Sequence, residues 1–214
     1  LVLDLAGVFA PMANSQLSCK GRSQGGVVTV DDASNQLEII SDSTANSVSL
    51  LISILVRYPE IATVNFVPEG KILKFTFMTS SSISDQLWNA FCQKLFESVE
   101  VYASLVHRGT PRIKAERLSY DCVSIVEISR DVATLTQEEI SLIIELARHA
   151  LGSELITEVS SNDDEFEEEL VYQDEMIETM LDDLRESVQQ RKLIGFREEG
   201  RVLVFNKQTE RTKP

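Results

Sequence analysis

Two runs rich in β-branched and aromatic residues, Ala62–Val67 and Lys71–Met78, stand on either side of Pro68-Glu69-Gly70. Proline supplies a fixed φ and glycine a positive φ, the two requirements of a tight turn, so these runs predict a β-hairpin. Paired antiparallel strands in the middle of the chain then need other elements to cover their apolar side.

The flanking sequence supplies such elements. After Asp42, read as an N-cap, Val48, Leu51, Ile52 and Leu55 recur at helical spacing, and Pro59 ends the helix. Ser82, with Asp85 three residues on, reads as the cap of a second helix to about Leu105. Its apolar stripe is Leu87, Trp88, Phe91, Leu95, Phe96 and Val99. Ile113–Ser129 reads as extended, with Cys122–Ile128 its clearest strand. Thr136 and Glu139 form a capping box for a third helix with Ile140, Ile143, Ile144, Ala147 and Leu151 on its apolar face and Gly152 as its stop.

Towards the N-terminus, Leu1–Met12 reads as a strand or short helix covering the core, the Gly- and Ser-rich stretch 18–26 as a loop, and Val27–Val30 with Gln36–Ile40 as a hairpin. Beyond the third helix come a strand at Leu155–Val159 and an acidic run, then a fourth helix over Glu167–Ile194 stopped by Gly195. Phe196-Arg197 and Arg201–Phe205 then make a hairpin around Glu198-Glu199-Gly200, ahead of a polar tail.

The order over 36–128 is β-α-β-β-α-β, the split βαβ arrangement of ferredoxin-like sandwiches. The predicted class is therefore α+β, an antiparallel-rich sheet with helices on one face. The remainder adds α-β-α-β-β, either as a second lobe or as an extension of the same sheet. The corresponding division is an N-terminal segment over 1–26, a sandwich over 27–130 and a final part over 131–214, with no residue-level repeat between the halves.

With 214 residues, 43% of them hydrophobic, the chain can bury a core without disulfides or structural metal. Its formal net charge of −14 repels phosphate backbones, so a nucleic-acid role would need a segregated basic face, and none is expected. Cys19, Cys92 and Cys122 are odd in number and far apart, which fits a reducing cytoplasm, and Cys92 and Cys122 read as buried small hydrophobes. No run of about 18 uncharged apolar residues is present, so no membrane association is expected.

Few residues carry chemistry. Asn162–Glu169 holds six acidic residues in eight positions but lacks the glycine and alternate-position ligands of an EF-hand, so it reads as a solvated charge run and no metal site is expected. Lys20, Gly21, Arg22, Gly25 and Gly26 precede a strand rather than a helix and match neither common phosphate-loop pattern. The histidines, His107 and His149, stand apart, and no Gly-x-Ser-x-Gly elbow exists. No catalytic set and no cofactor site are therefore assigned, and enzymatic activity is left open.

Two candidate sites remain. The basic island His107, Arg108, Arg112, Lys114 and Arg117 either captures a small anion, with Glu116 or Asp121 as a nearby carboxylate, or pairs with the chain's own acid. In the fourth helix, Ile177, Leu181, Leu184 and Val188 step by four, three and four, the spacing of a coiled-coil seam, and either face a partner or pack on the chain's own sheet. The expected function is a non-catalytic cytoplasmic protein that binds another protein or itself, through a sheet edge or the fourth helix. The alternative is an enzyme or sensor for a small anionic metabolite at residues 107–117.

Overall fold

The computed structural model describes residues 42–157, 167–187, 191–198 and 200–207, all belonging to one structural unit, Leu37–Pro214. In chain order the elements are α1 (Asp42–Arg57), β1 (Thr63–Val67), β2 (Ile72–Thr79), α2 (Asp85–Leu105), β3 (Ile113–Ser119), β4 (Ser124–Asp131), α3 (Gln137–Leu151), α4 (Glu167–Glu186), β5 (Lys192–Glu198) and β6 (Arg201–Lys207). The six strands form one sheet in the order β3-β4-β2-β1-β5-β6, with every pairing antiparallel. The fold is α+β. The expected strand Gln36–Ile40, on which the ferredoxin-like order depends, lies outside the described residues, as do Leu1–Met12 and Val27–Val30.

The β1–β2 hairpin forms as expected, with Val64 opposite Phe75 and Phe66 opposite Leu73. At its turn the Lys71 N–H donates to the Pro68 carbonyl at 3.1 Å, and Gly70 takes a φ of +88°. Lys71 is also left-handed, at +49°, an unusual state for a side-chain-bearing residue. Its ammonium compensates by donating to the carbonyls of Arg185 and Ser187, at 2.6 and 2.8 Å, which caps the C-terminal end of α4.

Side chains alternate across the sheet. Val64, Phe66, Leu73, Phe75, Phe77, Val126, Ile128 and Leu193 share one face by register and are buried together with apolar residues from all four α-helices. The helices therefore cover one face only. α1 lies over β1, β5 and β6 through Leu50, Leu51, Ile54 and Leu55, and α4 packs beside it. α2 buries Phe91, Leu95, Val99 and Ala103, a narrower stripe than expected, because Leu87 and Phe96 are largely exposed.

Several expectations need correction. The cap of α2 is Ser84, whose Oγ accepts the Leu87 N–H at 3.3 Å, rather than Ser82. Ile113–Ser129 is two strands joined at Tyr120–Val123, where the Tyr120 N–H bonds the Val123 carbonyl, so Cys122 sits exposed in a turn rather than buried in a strand. Leu155 makes only an isolated bridge to Thr79, and Ile156 and Thr157 are outside any strand.

The fourth helix ends at Glu186, eight residues before the expected Ile194. Gly195 is not its stop but the middle of β5, opposite Val64, because pairing with β1 overrides the helical spacing. This same pairing makes the C-terminal part an extension of the sheet. Glycine is needed there for space: a Cβ would stand 2.9 Å from Leu55 Cδ1 and 3.4 Å from Leu51 Cβ, where α1 presses on the sheet. Gly195→Val is expected to cost about 1–3 kcal/mol by overpacking, measured by urea unfolding. Unchanged stability would mean that α1 does not press on β5.

Candidate functional site

The basic island occupies the α2–β3 loop and β3, and strand alternation scatters it. His107, at φ +54°, and Gly109, at +86°, turn the chain out of α2. Arg108 reaches α4, with Nη2 3.2 Å from Glu178 Oε1. Arg117 points to the helical face, donating to the Ile83 carbonyl at 2.7 Å and to Asp85 Oδ1 at 2.5 Å, and it lies over the Trp88 ring. Lys114 points to the opposite face and pairs with Glu116 at 2.7 Å. Arg112 is 73% exposed, with Nε 4.0 Å from Asp131 Oδ2, while its backbone N–H donates to Asp131 Oδ1 at 2.8 Å. The island's cations thus diverge, each of the four beside a carboxylate of the same chain.

The most concentrated polar chemistry lies beneath this loop, at the β4–α3 junction. Arg130 occupies a core-facing position of β4 and is wholly buried. It grips Glu139 in a bidentate pair, Nε to Oε1 at 2.5 Å and Nη2 to Oε2 at 2.9 Å. Nη2 also donates to Thr134 Oγ1 at 2.7 Å, and Nη1 donates to the Asp131 carbonyl at 3.0 Å and to the Asp131 carboxylate. Burial pushes the Glu139 carboxyl above its usual range, opposed by the guanidinium. The capping box is accordingly half made: Thr136 Oγ1 accepts the Glu139 N–H at 3.2 Å, but the Glu139 side chain turns to Arg130 instead of back to the cap.

A second network ties α1, α3 and α4 together. Gln137 donates to the Tyr58 hydroxyl at 2.8 Å and to Ser141 Oγ at 3.2 Å, and Tyr58 and Ser141 share a hydrogen bond of 2.8 Å. Arg57 pairs with Asp174 at 2.9 Å, Asn46 donates to Asp183, and the Gln137 N–H is received by Glu178. Burial raises the Tyr58 phenol above its ordinary value, so it stays protonated near neutrality. Arg148 pairs with Glu60, and that hydrogen bond raises the guanidinium further, although Glu60 Oε2 is buried with no hydrogen-bond partner. These groups join elements and expose no nucleophile with an adjacent base.

Sequence reading missed Arg130 because a strand alternation of Ser, Val, Ile and Arg gives no sign that its charged member points inward. The available signal was Glu139, a carboxylate near the start of an otherwise apolar helix face. Ile177, Leu181 and Leu184 lie in the chain's own core, packing on its own fold as one of the two expectations had it, and Val188 lies outside the described residues. Of the acidic run, 162–166 also lie outside them, and Glu167 opens α4.

A shallow groove of about 320 Å³ lies between α2 and α3, lined by Glu97, Ser98, Val101, Tyr102, Leu105 and Leu142. Its single charged lining residue is acidic, so it offers nothing to an anion. Among the described residues no group of three His, Cys, Asp or Glu side chains converges as a metal site requires, and no helix is long and apolar enough to cross a membrane. Comparison with protein families, with curated proteins and with solved structures gives no match to this chain.

Two outcomes follow from this geometry. Glu139→Gln, which removes one of the two buried carboxylates paired with Arg130 and leaves Asp131 as the other, is expected to cost about 1.5–3 kcal/mol in urea unfolding, whereas Arg112→Ala should stay within about 0.5 kcal/mol. Equal effects would show that the Arg130 pair is not the structural centre of the junction. In a Cys19→Ser background, a thiol reagent at pH 7 should label exposed Cys122 first, because burial raises the Cys92 thiol and withholds its thiolate. The gap should narrow as pH rises towards the Cys92 value, and faster labelling of Cys92 at pH 7 would contradict the assignment.

Proposed function

We propose that this chain is a non-catalytic cytoplasmic protein that works by associating with another protein or with a second copy of itself, through a sheet edge. The observation that carries the reading is the disposal of polar groups. Arg130, Glu139, Tyr58, Gln137 and Arg185 are all engaged in holding strands and helices together, while β6 at one end of the sheet is apolar and has no described strand on its outer side. Arg108 and Arg117, which an anion-binding enzyme or sensor would need at 107–117, are committed in different directions to Glu178 and Asp85. The fourth helix gives the reading less support than the edge, since its apolar seam is buried.

Native mass spectrometry of untreated protein tests this directly. The expected spectrum shows an assembly of protein subunits without added small-molecule mass. A retained anionic adduct that disappears in Arg112→Glu would overturn the reading in favour of metabolite binding.

A further inference from the structure

The two edges of the sheet are built differently. β3, Ile-Lys-Ala-Glu-Arg-Leu-Ser, places charged side chains at three of its seven positions, a pattern that discourages pairing with another strand. β6, Arg-Val-Leu-Val-Phe-Asn-Lys, carries four consecutive apolar residues, Val202–Phe205, between Arg201 and Asn206-Lys207. Among the described residues nothing hydrogen-bonds as a strand to its outer side.

The layers above and below that edge also expose apolar side chains, although Arg197 reaches the Val56 carbonyl on the helical side. On the face opposite the described helices Phe205 is 54% exposed and stacks on Phe196 with ring centroids 5.6 Å apart. On the helical side α1 lies over β6, with Asn46 and Arg57 turned to α4. Val48, Ile52 and Val56, spaced by four, line the flank turned away from α4, where Ile52 is 37% and Val56 47% exposed. α1 carries one acid, Asp42, in 16 residues, whereas α4 carries nine in 20. The strongly acidic helix is thereby set behind α1, away from the edge.

We infer that β6 is a homodimer interface, in which two copies join β6 to β6 antiparallel across a two-fold axis to make one continuous sheet with α1 packed against α1. This deepens the association reading and rests on it. A second copy is the occupant that fits because each layer is self-complementary: strand meets strand and an uncharged helix flank meets its equivalent. Seven residues at about 3.3 Å give about 23 Å along the strand, and a sheet with a helix about 10 Å across on it is roughly 20 Å deep, so two edges present about 900 Å² before surface relief, which is the size of a weak, reversible dimer rather than an obligate one.

The register also follows. Directly opposed side chains share a face, so an axis normal to the sheet passes through a residue rather than between two. An axis at Val204 would set Arg201 opposite Lys207, like against like. An axis at Leu203 sets Arg201 opposite Phe205 of the second copy, a cation against an aromatic ring, and Val202 opposite Val204. Leu203 then faces its own counterpart, with Cα atoms about 4.5–5.5 Å apart, within disulfide reach.

The test uses the full chain with Cys19, Cys92 and Cys122 replaced by serine, checked for an unchanged thermal melt. Leu203→Cys is expected to form a covalent dimer on mild oxidation and Phe205→Cys is not. In sedimentation equilibrium the parent should be dimeric, with Phe205→Lys weakening the dimer at least tenfold and Leu105→Glu, in the α2–α3 groove, leaving it intact. A parent that stays monomeric at several hundred micromolar, with no Leu203→Cys cross-link, overturns the inference. So does a dimer that survives Phe205→Lys and is lost in Leu105→Glu, but that result retains the association reading and moves it to the groove. Cross-linking of Phe205→Cys in place of Leu203→Cys overturns the pairing at Leu203.

Discussion

On β1, β2 and β4 the residues of one face, Val64, Phe66, Leu73, Phe75, Phe77, Val126 and Ile128, are apolar and buried, whereas the opposite face mixes polar residues with partly buried Val67, Ile72, Met78 or Ile125, and this difference decides how the helices are arranged. An antiparallel sheet with one apolar face has one side to cover, and all four helices bring their apolar stripes to that side. Leu50, Leu51, Ile54 and Leu55 of α1 meet Gly195 of β5, while Phe91, Leu95 and Val99 of α2 sit at the other end of the same core. The opposite face keeps half-buried threonines, Asn65 and the Lys74–Glu127 pair, polar groups that no described helix has to satisfy.

Within that core Arg130 and its partner Glu139 are the exceptions, with Arg130 set between Leu73 and Ile113 in the sheet. Desolvating a guanidinium is costly, and the structure offsets this by surrounding it with Glu139, Asp131, Thr134 and a backbone carbonyl. The pairing ties the last residues of β4 to the first turn of α3. Arg185 of α4 completes the junction by donating to the carbonyls of Val132 and Leu135, the loop between them. Hydrophobic burial is indifferent to small sliding motions, whereas a bidentate pair is directional, so this cluster sets where α3 and α4 begin and end relative to the sheet.

What could be read from the sequence follows the same division between local and distant causes. Pro68-Glu69-Gly70, Thr136, Gly152 and the stripe of α3 act within a few residues, and those elements appear where expected. The errors lie where a distant partner decides. Lys192–Ile194, expected to end the fourth helix, belongs to β5 because β1 lies alongside, and Leu155 makes only an isolated bridge to Thr79, with Ile156 and Thr157 outside any strand. The basic island was visible as composition, but its dispersal was not, since alternation in β3 and the position of α4 send Arg117 and Arg108 to different neighbours. Arg130 was invisible for the same reason: burial of a charge is settled by what folds over it.

The distribution of acid across the layers connects these points to association. A chain at −14 resists bringing copies or acidic partners together, and the repulsion acts over about a Debye length of 8–10 Å at physiological salt. Nine of its acids lie on α4, where several are answered by Arg57, Arg108 and Arg185. α1, with its short polar residues and one acid, lies between α4 and the β6 edge and carries the smallest share of acidic residues of the four α-helices. The acid that keeps chains apart is thus sparsest on the helix beside the β6 edge and densest on α4 behind it, which is why the proposed contact is set at that edge rather than on the fourth helix.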